Sequence, residues 1–118
     1  MMPTYIFYIT KVRRFLKHKA TEDTYPIRIP DGICLDKEMG IWVASPTTSE
    51  VFRVENGGKV TDSIKTPQRA FACMLGGKDL KTLYVSTADT STPEIASVNK
   101  TGKIYTTRVD IPGAGWPA

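Results

Sequence analysis

Ile29-Pro30-Asp31-Gly32-Ile33-Cys34-Leu35-Asp36, followed at once by Gly40-Ile41-Trp42-Val43-Ala44, decides the fold of this chain. The stretch reads as two short strands joined by a tight, charged turn, with an acid just before the first strand. Proline fixes one backbone angle and glycine permits the sharp bend, so the Asp31 carboxylate is held stiffly at the strand entrance. A rigid carboxylate at the mouth of a sheet suits a hard divalent metal. Read without other context, Pro-Asp-Gly is also a common turn in which the acid caps its own backbone. Asp36, in the turn Asp36-Lys37-Glu38, reads as a solvated turn residue.

Outward from this stretch the chain is strand after strand. A polar turn from Ser45 to Ser49 leads to Glu50-Val51-Phe52-Arg53-Val54, which alternates at period two. Asn56-Gly57-Gly58 is a hairpin signal, Lys59 to Ile64 a fourth strand, and Pro67 ends the unit. The pattern then restarts with Ala70 to Leu75, a Gly76-Gly77 turn and Thr82 to Thr87. A polar insertion from Ala88 to Lys100 follows, in which Glu94 to Val98 can form one helical turn. Lys103 to Asp110 is a further strand, and the tail carries Trp116 as an aromatic anchor.

Cys34 maps onto Cys73, and Trp42-Val43 onto Tyr84-Val85, while the insertion moves Phe52 onto Ile104. A four-strand unit repeating every ~40–45 residues is the signature of a β-propeller blade. The fold expected is all-β: a partial propeller of about two four-stranded antiparallel blades over residues 29–118, the last lacking its fourth strand. Residues 1–28 read as a basic N-terminal arm or the remnant of a preceding blade. Tyr5 to Ile9 suits an outer strand, and Val12 to Lys19 fits a helix or a strand equally.

Composition bounds the function. The 118 residues suffice for one small domain, and 41% hydrophobic content argues against a disordered chain. The net charge of +4 is local: five of the 16 bases lie in residues 1–20 with no acid, and the other 11 face all 12 acids. Five charges around Phe15 are too modest a patch for a nucleic-acid reader. No apolar run approaches the ~18–20 residues of a membrane span. The apolar start precedes its basic residues, the wrong order for a secretory signal, so the chain reads as cytoplasmic. Cys34 and Cys73 lack metal-ligand spacing and read as buried thiols. His18 has no nucleophile to pair with and reads as a surface residue.

The ordered set Pro30 to Asp36, Gly40 to Ala44, Ala70 to Gly77 and Thr82 to Val85 resembles the C-terminal part of the family containing regucalcin (senescence marker protein), gluconolactonase and luciferin-regenerating enzyme. The resemblance runs from about Ile29 to Pro117, and Arg108 to Gly115 looks like that family's C-terminus. It implies a six-bladed propeller with one divalent metal, calcium or zinc, on its axis, and hydrolysis of sugar lactones and related esters. The aspartate of the Pro-Asp-Gly motif is a metal ligand in that family, a role that transfers to Asp31, the one candidate for both metal binding and catalysis. The family's other ligands, a glutamate early in the chain and asparagines in the middle blades, have no counterpart matched here.

Phe71, Cys73 and Ser45 are candidates for lining the same site, while Trp42 and Phe52 read as core. A full propeller of this size needs about 240 residues or more. The chain is therefore expected to be a C-terminal portion, inactive alone, with a sugar lactone or ester as the family substrate. The alternatives are a non-enzymatic module that pairs its open strand edges with another protein, and a homotrimer that closes a six-bladed ring. Neither a nucleic acid nor a membrane is expected as partner.

Overall fold

The computed structural model describes residues 28–90 and 101–115. It contains two antiparallel sheets and one short 3-10 turn, Pro46–Thr48. The first sheet is a meander of β1 (Ile33–Leu35), β2 (Ile41–Ser45), β3 (Glu50–Val54) and β4 (Val60–Lys65). The second is β5 (Arg69–Gly76), β6 (Thr82–Ala88) and β7 (Lys103–Arg108), with no fourth strand among the described residues. The alternating apolar runs became strands, and the Asn56-Gly57-Gly58 turn forms because both glycines take positive φ, 98° and 94°. The basic arm, the strand at Tyr5 to Ile9, His18, the helical turn at Glu94 to Val98 and Trp116 lie outside the described residues.

The two sheets pack face to face at their inner strands. Cys34, Trp42, Ala44 and Val51 of the first meet Ala70, Cys73, Leu75, Leu83 and Val85 of the second in one buried cluster. A second cluster, Leu35, Ile41, Val43, Phe52 and Val54, fills the other face of the first sheet. Trp42 and Phe52 are thus core, as expected. Full burial of a side chain such as Phe52 or Leu83 is worth about 1.5–3 kcal/mol, so these clusters hold the sheets together.

Register corrects the repeat. Cys34 pairs with Trp42, whereas Cys73 pairs with Val85, so the counterpart of Trp42 is Val85 and not Tyr84. Val85 shares the buried cluster with Trp42, while Tyr84 is exposed on the opposite face. On the same register Phe52, the partner of Val43, matches Ile104, the partner of Ser86, as the repeat had it. A one-residue error such as that at Tyr84 reverses every side chain in a strand.

The tail beyond β7 returns to the first sheet. Gly113 bridges Asp36, the Lys37 N–H donates to Pro112 O at 2.9 Å, and the Ala114 N–H donates to Leu35 O at 3.0 Å. The Gly113 N–H donates to Leu80 O at 2.7 Å, so the tail ties both sheets at the end opposite Asp31.

Candidate functional site

Asp31 lies at the entrance to β1, between the two sheets. Its N–H donates to Ala44 O, and the Ala44 N–H donates back to Gly32 O, each at 2.9 Å, which extends the β1–β2 ladder through the Pro-Asp-Gly turn. The Gly32 N–H then leaves its own sheet and donates to Phe71 O at 2.9 Å. This crossing has a steric requirement. A Cβ on Gly32 would stand 2.7 Å from Ala72 Cα and 2.9 Å from Phe71 O, both backbone atoms that cannot swing aside. Phe71 is available because it is the extra residue in a β-bulge: Ala70 pairs with Thr87 and Ala72 with Ser86. Bulges re-aim backbone groups beside functional sites, and this one turns the Phe71 carbonyl toward Gly32.

The Asp31 side chain is exposed and has no side-chain hydrogen bond or ion pair with another described residue. A carboxylate on a rigid backbone, left open, is free to take a ligand. Among the described residues no three His, Cys, Asp or Glu side chains gather as a metal cage. The site therefore offers one hard oxygen donor.

The other candidates divide. Phe71, half-buried, is at the Asp31 end through its hydrogen bond to Gly32. Ser45 is also at that end, as the last residue of β2, but it is fully buried with its Oγ 2.8 Å from Thr48 Oγ1. It sits within the strand, not past it. Opposite Ser45 in β3 stands buried Glu50. Its carboxylate accepts from Arg28 Nε at 2.5 Å and Ser63 Oγ at 2.8 Å, and Thr48 Oγ1 lies 3.0 Å away. Burial pushes the Glu50 carboxyl up, but the hydrogen bonds from Arg28, Ser63 and Thr48 together outweigh it, and its pKa lies below the usual value. Arg28 also lies over the Phe52 ring, 4.7 Å from the centroid. Glu50 is spent on this knot and is not an open ligand.

Cys73 is buried on the sheet interface. Its Sγ is 3.8 Å from Cys34 Sγ and 3.4 Å from Trp42 O, so it faces the other sheet rather than the opening near Asp31. The contact with Cys34 and the burial hold the Cys73 thiol well above its ordinary pKa. The two cysteines are buried as expected, but their meeting across the sheets was not read from the sequence.

Asp36 overturns its reading as a solvated turn residue. It is completely buried, and it accepts from Arg53 Nε at 2.6 Å and Arg53 Nη2 at 3.3 Å. The Gly40 and Glu38 N–H groups donate to its Oδ1 at 2.9 and 3.0 Å. Gly40 has no room for a Cβ because the Arg53 guanidinium lies across it. Thr61, the extra residue of a bulge in β4, brings its Oγ1 to 3.1 Å from Arg53 Nη1. The Asp36 contact raises the Arg53 pKa, so the guanidinium keeps its charge in this buried pair. The available signal was Arg53 itself, a cation inside the apolar run Val51 to Val54, which requires a buried partner. A cleft of about 220 Å³ opens beside this pair, lined by Trp42, Arg53, Asp62, Arg108 and Asp110 among others, away from Asp31.

A bulged inner strand and an open aspartate between two meander sheets frame the comparison with known proteins, which gives the family. Residues 7–89 match the SMP-30/Gluconolactonase/LRE-like region, and the chain belongs to this family. It is 34% identical over 91 residues to 6-deoxy-6-sulfogluconolactonase of Pseudomonas putida, a match covering 75% of this chain and 31% of that protein. It is 40% identical over 62 residues to regucalcin of Danio rerio, covering 51% of this chain and 21% of that one. Among solved structures, a calcium-binding protein, regucalcin from Agrobacterium tumefaciens, superimposes with a TM-score of 0.57 at 22% identity over 71% of this chain and 30% of that chain. Luciferin-regenerating enzyme gives 0.54 at 23% identity over 83% and 31%. The chain thus spans about a third or less of the relatives it matches. No helix of the described residues is long and apolar enough to cross a membrane.

Proposed function

We propose that this chain supplies two blades of a six-bladed, metal-dependent sugar-lactone hydrolase, and that Asp31 is one oxygen ligand of its divalent metal, calcium or zinc. The observation that carries the reading is the open Asp31 carboxylate, fixed by backbone bonds to Ala44 and, through Gly32, to Phe71 of the neighbouring sheet. Family membership and the similarity to a sulfogluconolactonase point to a lactone as the substrate class. A bound divalent metal would polarise a lactone carbonyl as a Lewis acid.

The described residues fit one ligand position and not a whole site, since such cations take 6–8 oxygens in the case of calcium, or about four donors in the case of zinc. The remaining ligands must come from further blades, and the described portion alone is inactive. What these residues do themselves is positional. Gly32 lets the sheets approach, the Phe71 bulge anchors the turn, and Phe71 walls one side of the opening.

Calcium and zinc titrations of the purified chain, followed by solution mass and by hydrolysis of a sugar lactone, test the reading, with Asp31→Ala beside the wild type. Metal-dependent association that Asp31→Ala abolishes supports Asp31 as a ligand. Indifference of both proteins to metal is what one position of an unfinished site gives, whereas metal-dependent association or hydrolysis that survives Asp31→Ala overturns it. A second reading, a module that docks a further sheet or another copy of itself, is favoured by the exposed face of the second sheet and by the unpaired edge of β7 among the described residues. It predicts association that needs no metal and survives Asp31→Ala.

A further inference from the structure

The two cysteines stand 39 positions apart in sequence and 3.8 Å apart in space, Sγ to Sγ. Cys34 lies in β1 and Cys73 in β5, the inner strands of opposed sheets. Both are buried, at 3% and 8% exposure, in the one apolar cluster that joins the sheets. Besides the Cys34 sulfur, the carbonyls of Trp42 and Gly32 lie 3.4 and 3.8 Å from the Cys73 sulfur. Ordinary apolar packing of two small side chains accounts for their burial. It does not require that the sulfurs face one another with nothing between. A disulfide has a sulfur separation of about 2.05 Å. Each sulfur therefore needs to move by only about 0.9 Å toward the other to reach that separation.

We propose that Cys34 and Cys73 are a dithiol oxidation site, which a hydroperoxide closes to a disulfide tying β1 to β5 beneath the Asp31 turn. The Cys73 sulfur, the more exposed of the two, attacks a peroxide oxygen as thiolate. The O–O bond breaks, Cys73 carries S–OH, and the departing hydroxide takes up the Cys73 proton as water. The Cys34 sulfur then attacks the Cys73 sulfur. The S–S bond forms, the S–O bond breaks, and the hydroxyl leaves as a second water with the Cys34 proton. Two thiols lose two electrons and two protons, and one hydrogen peroxide becomes two waters. Burial makes the first step slow, because a buried thiol is a poor source of thiolate. The product is a lock between the sheets at the point where Gly32 and Phe71 already join them.

The test is intact mass under non-reducing conditions. The reduced full-length chain is incubated with hydrogen peroxide, denatured and alkylated. The proposal expects a monomer lighter by two hydrogens, no alkylated cysteine, a linked Cys34–Cys73 peptide after digestion, full reversal by dithiothreitol and a raised melting temperature. Cys34→Ala is expected to gain oxygen atoms on Cys73 or to cross-link between chains. Two alkylatable thiols after prolonged peroxide, oxygen adducts located on Cys34 or Cys73 of the wild type, or disulfides formed only between chains would each overturn it, methionine sulfoxides being located apart by digestion. The wild-type measurement stands even where the variant fails to fold.

Discussion

β2 and β3 of the first sheet bury all five of their residues, whereas β5 and β6 of the second alternate buried and open. The first sheet has a core on each face; the second has one core face and presents Met74, Tyr84 and Ile104 on the other, at 52%, 40% and 68% exposure. Both sheets use the same device at the turn after their inner strand, a carboxylate gripped by an arginine from the third strand. In the first it is Asp36 with Arg53, at 0% and 5% side-chain exposure; in the second it is Asp79 with Arg108, at 47% and 62%. Arg108 also reaches Thr82 Oγ1 at 2.8 Å and holds the Asp79 carboxyl down to about 2. The lesson is that a lowered pKa and a short contact do not measure stability. Solvent screens the second pair, so it contributes little, while the first stands where an unpaired charge has no water to turn to.

The largest expected effect follows directly. Arg53→Met leaves Asp36 buried without its cation and should cost about 3–5 kcal/mol in denaturant unfolding. Arg108→Met should leave the unfolding midpoint unchanged. Equal losses from the two variants would break the comparison and mean that the second pair is shielded as well.

The contrast between the sheets also explains what the sequence disclosed. Strand positions were legible because apolar runs and Gly, Pro and Asn turns mark them locally. The place of Asp31 just before the first strand was legible too, since Pro-Asp-Gly marks a turn locally. The Asp36–Arg53 pair, 17 positions apart, and the Cys34–Cys73 contact depend on how strands pair and sheets stack, which no local pattern states. The bulges at Phe71 and Thr61 add one residue each, and a period-two reading has no way to see them. The misplaced match of Trp42 to Tyr84 came from the same source: the β5–β6 hairpin is longer than the β1–β2 hairpin, and counting from one repeat to the next hides the slip.

Next in size is Gly32→Ala, which probes the seam between the sheets. Its Cβ would meet the Ala72 and Phe71 backbone, and overpacking of this kind costs about 1–3 kcal/mol. Gly57→Ala, where a Cβ meets nothing within 4 Å, isolates the cost of a positive φ from that of a clash. If Gly32→Ala loses no more stability than Gly57→Ala, the sheets have room to separate at Asp31.

Acid sharpens the comparison further. The folded pKa of Glu50 is depressed, so its contribution to stability is present above the unfolded value, about 4.3, and is lost as pH falls through the lower folded value. Unfolding of the wild type should therefore grow easier below about pH 4, and Glu50→Gln should flatten that limb while costing about 1 kcal/mol at neutral pH. Asp79→Asn in the second sheet should leave the acid limb as it was, because its partner is exposed. An acid limb that Glu50→Gln does not alter would move the acid sensitivity away from the Arg28–Glu50 knot.

The smallest effect tests the open face. Ile104 of β7 is the most exposed of the large apolar side chains among the described residues, and it lies on the face shared with Tyr84 and Met74. Ile104→Asp should change the stability of the isolated chain by no more than about 0.5 kcal/mol, since it surrenders no buried area. Its counterpart on the first sheet, Phe52→Asp, places a carboxylate in a fully buried cluster and should prevent folding. The informative result is a split within the Ile104 variant. Unchanged unfolding at low concentration, combined with loss of a larger species at high concentration, would assign the open face to contact between chains. A large loss at all concentrations would mean that Ile104 is covered within one chain, and the two sheets would then be alike in having both faces filled.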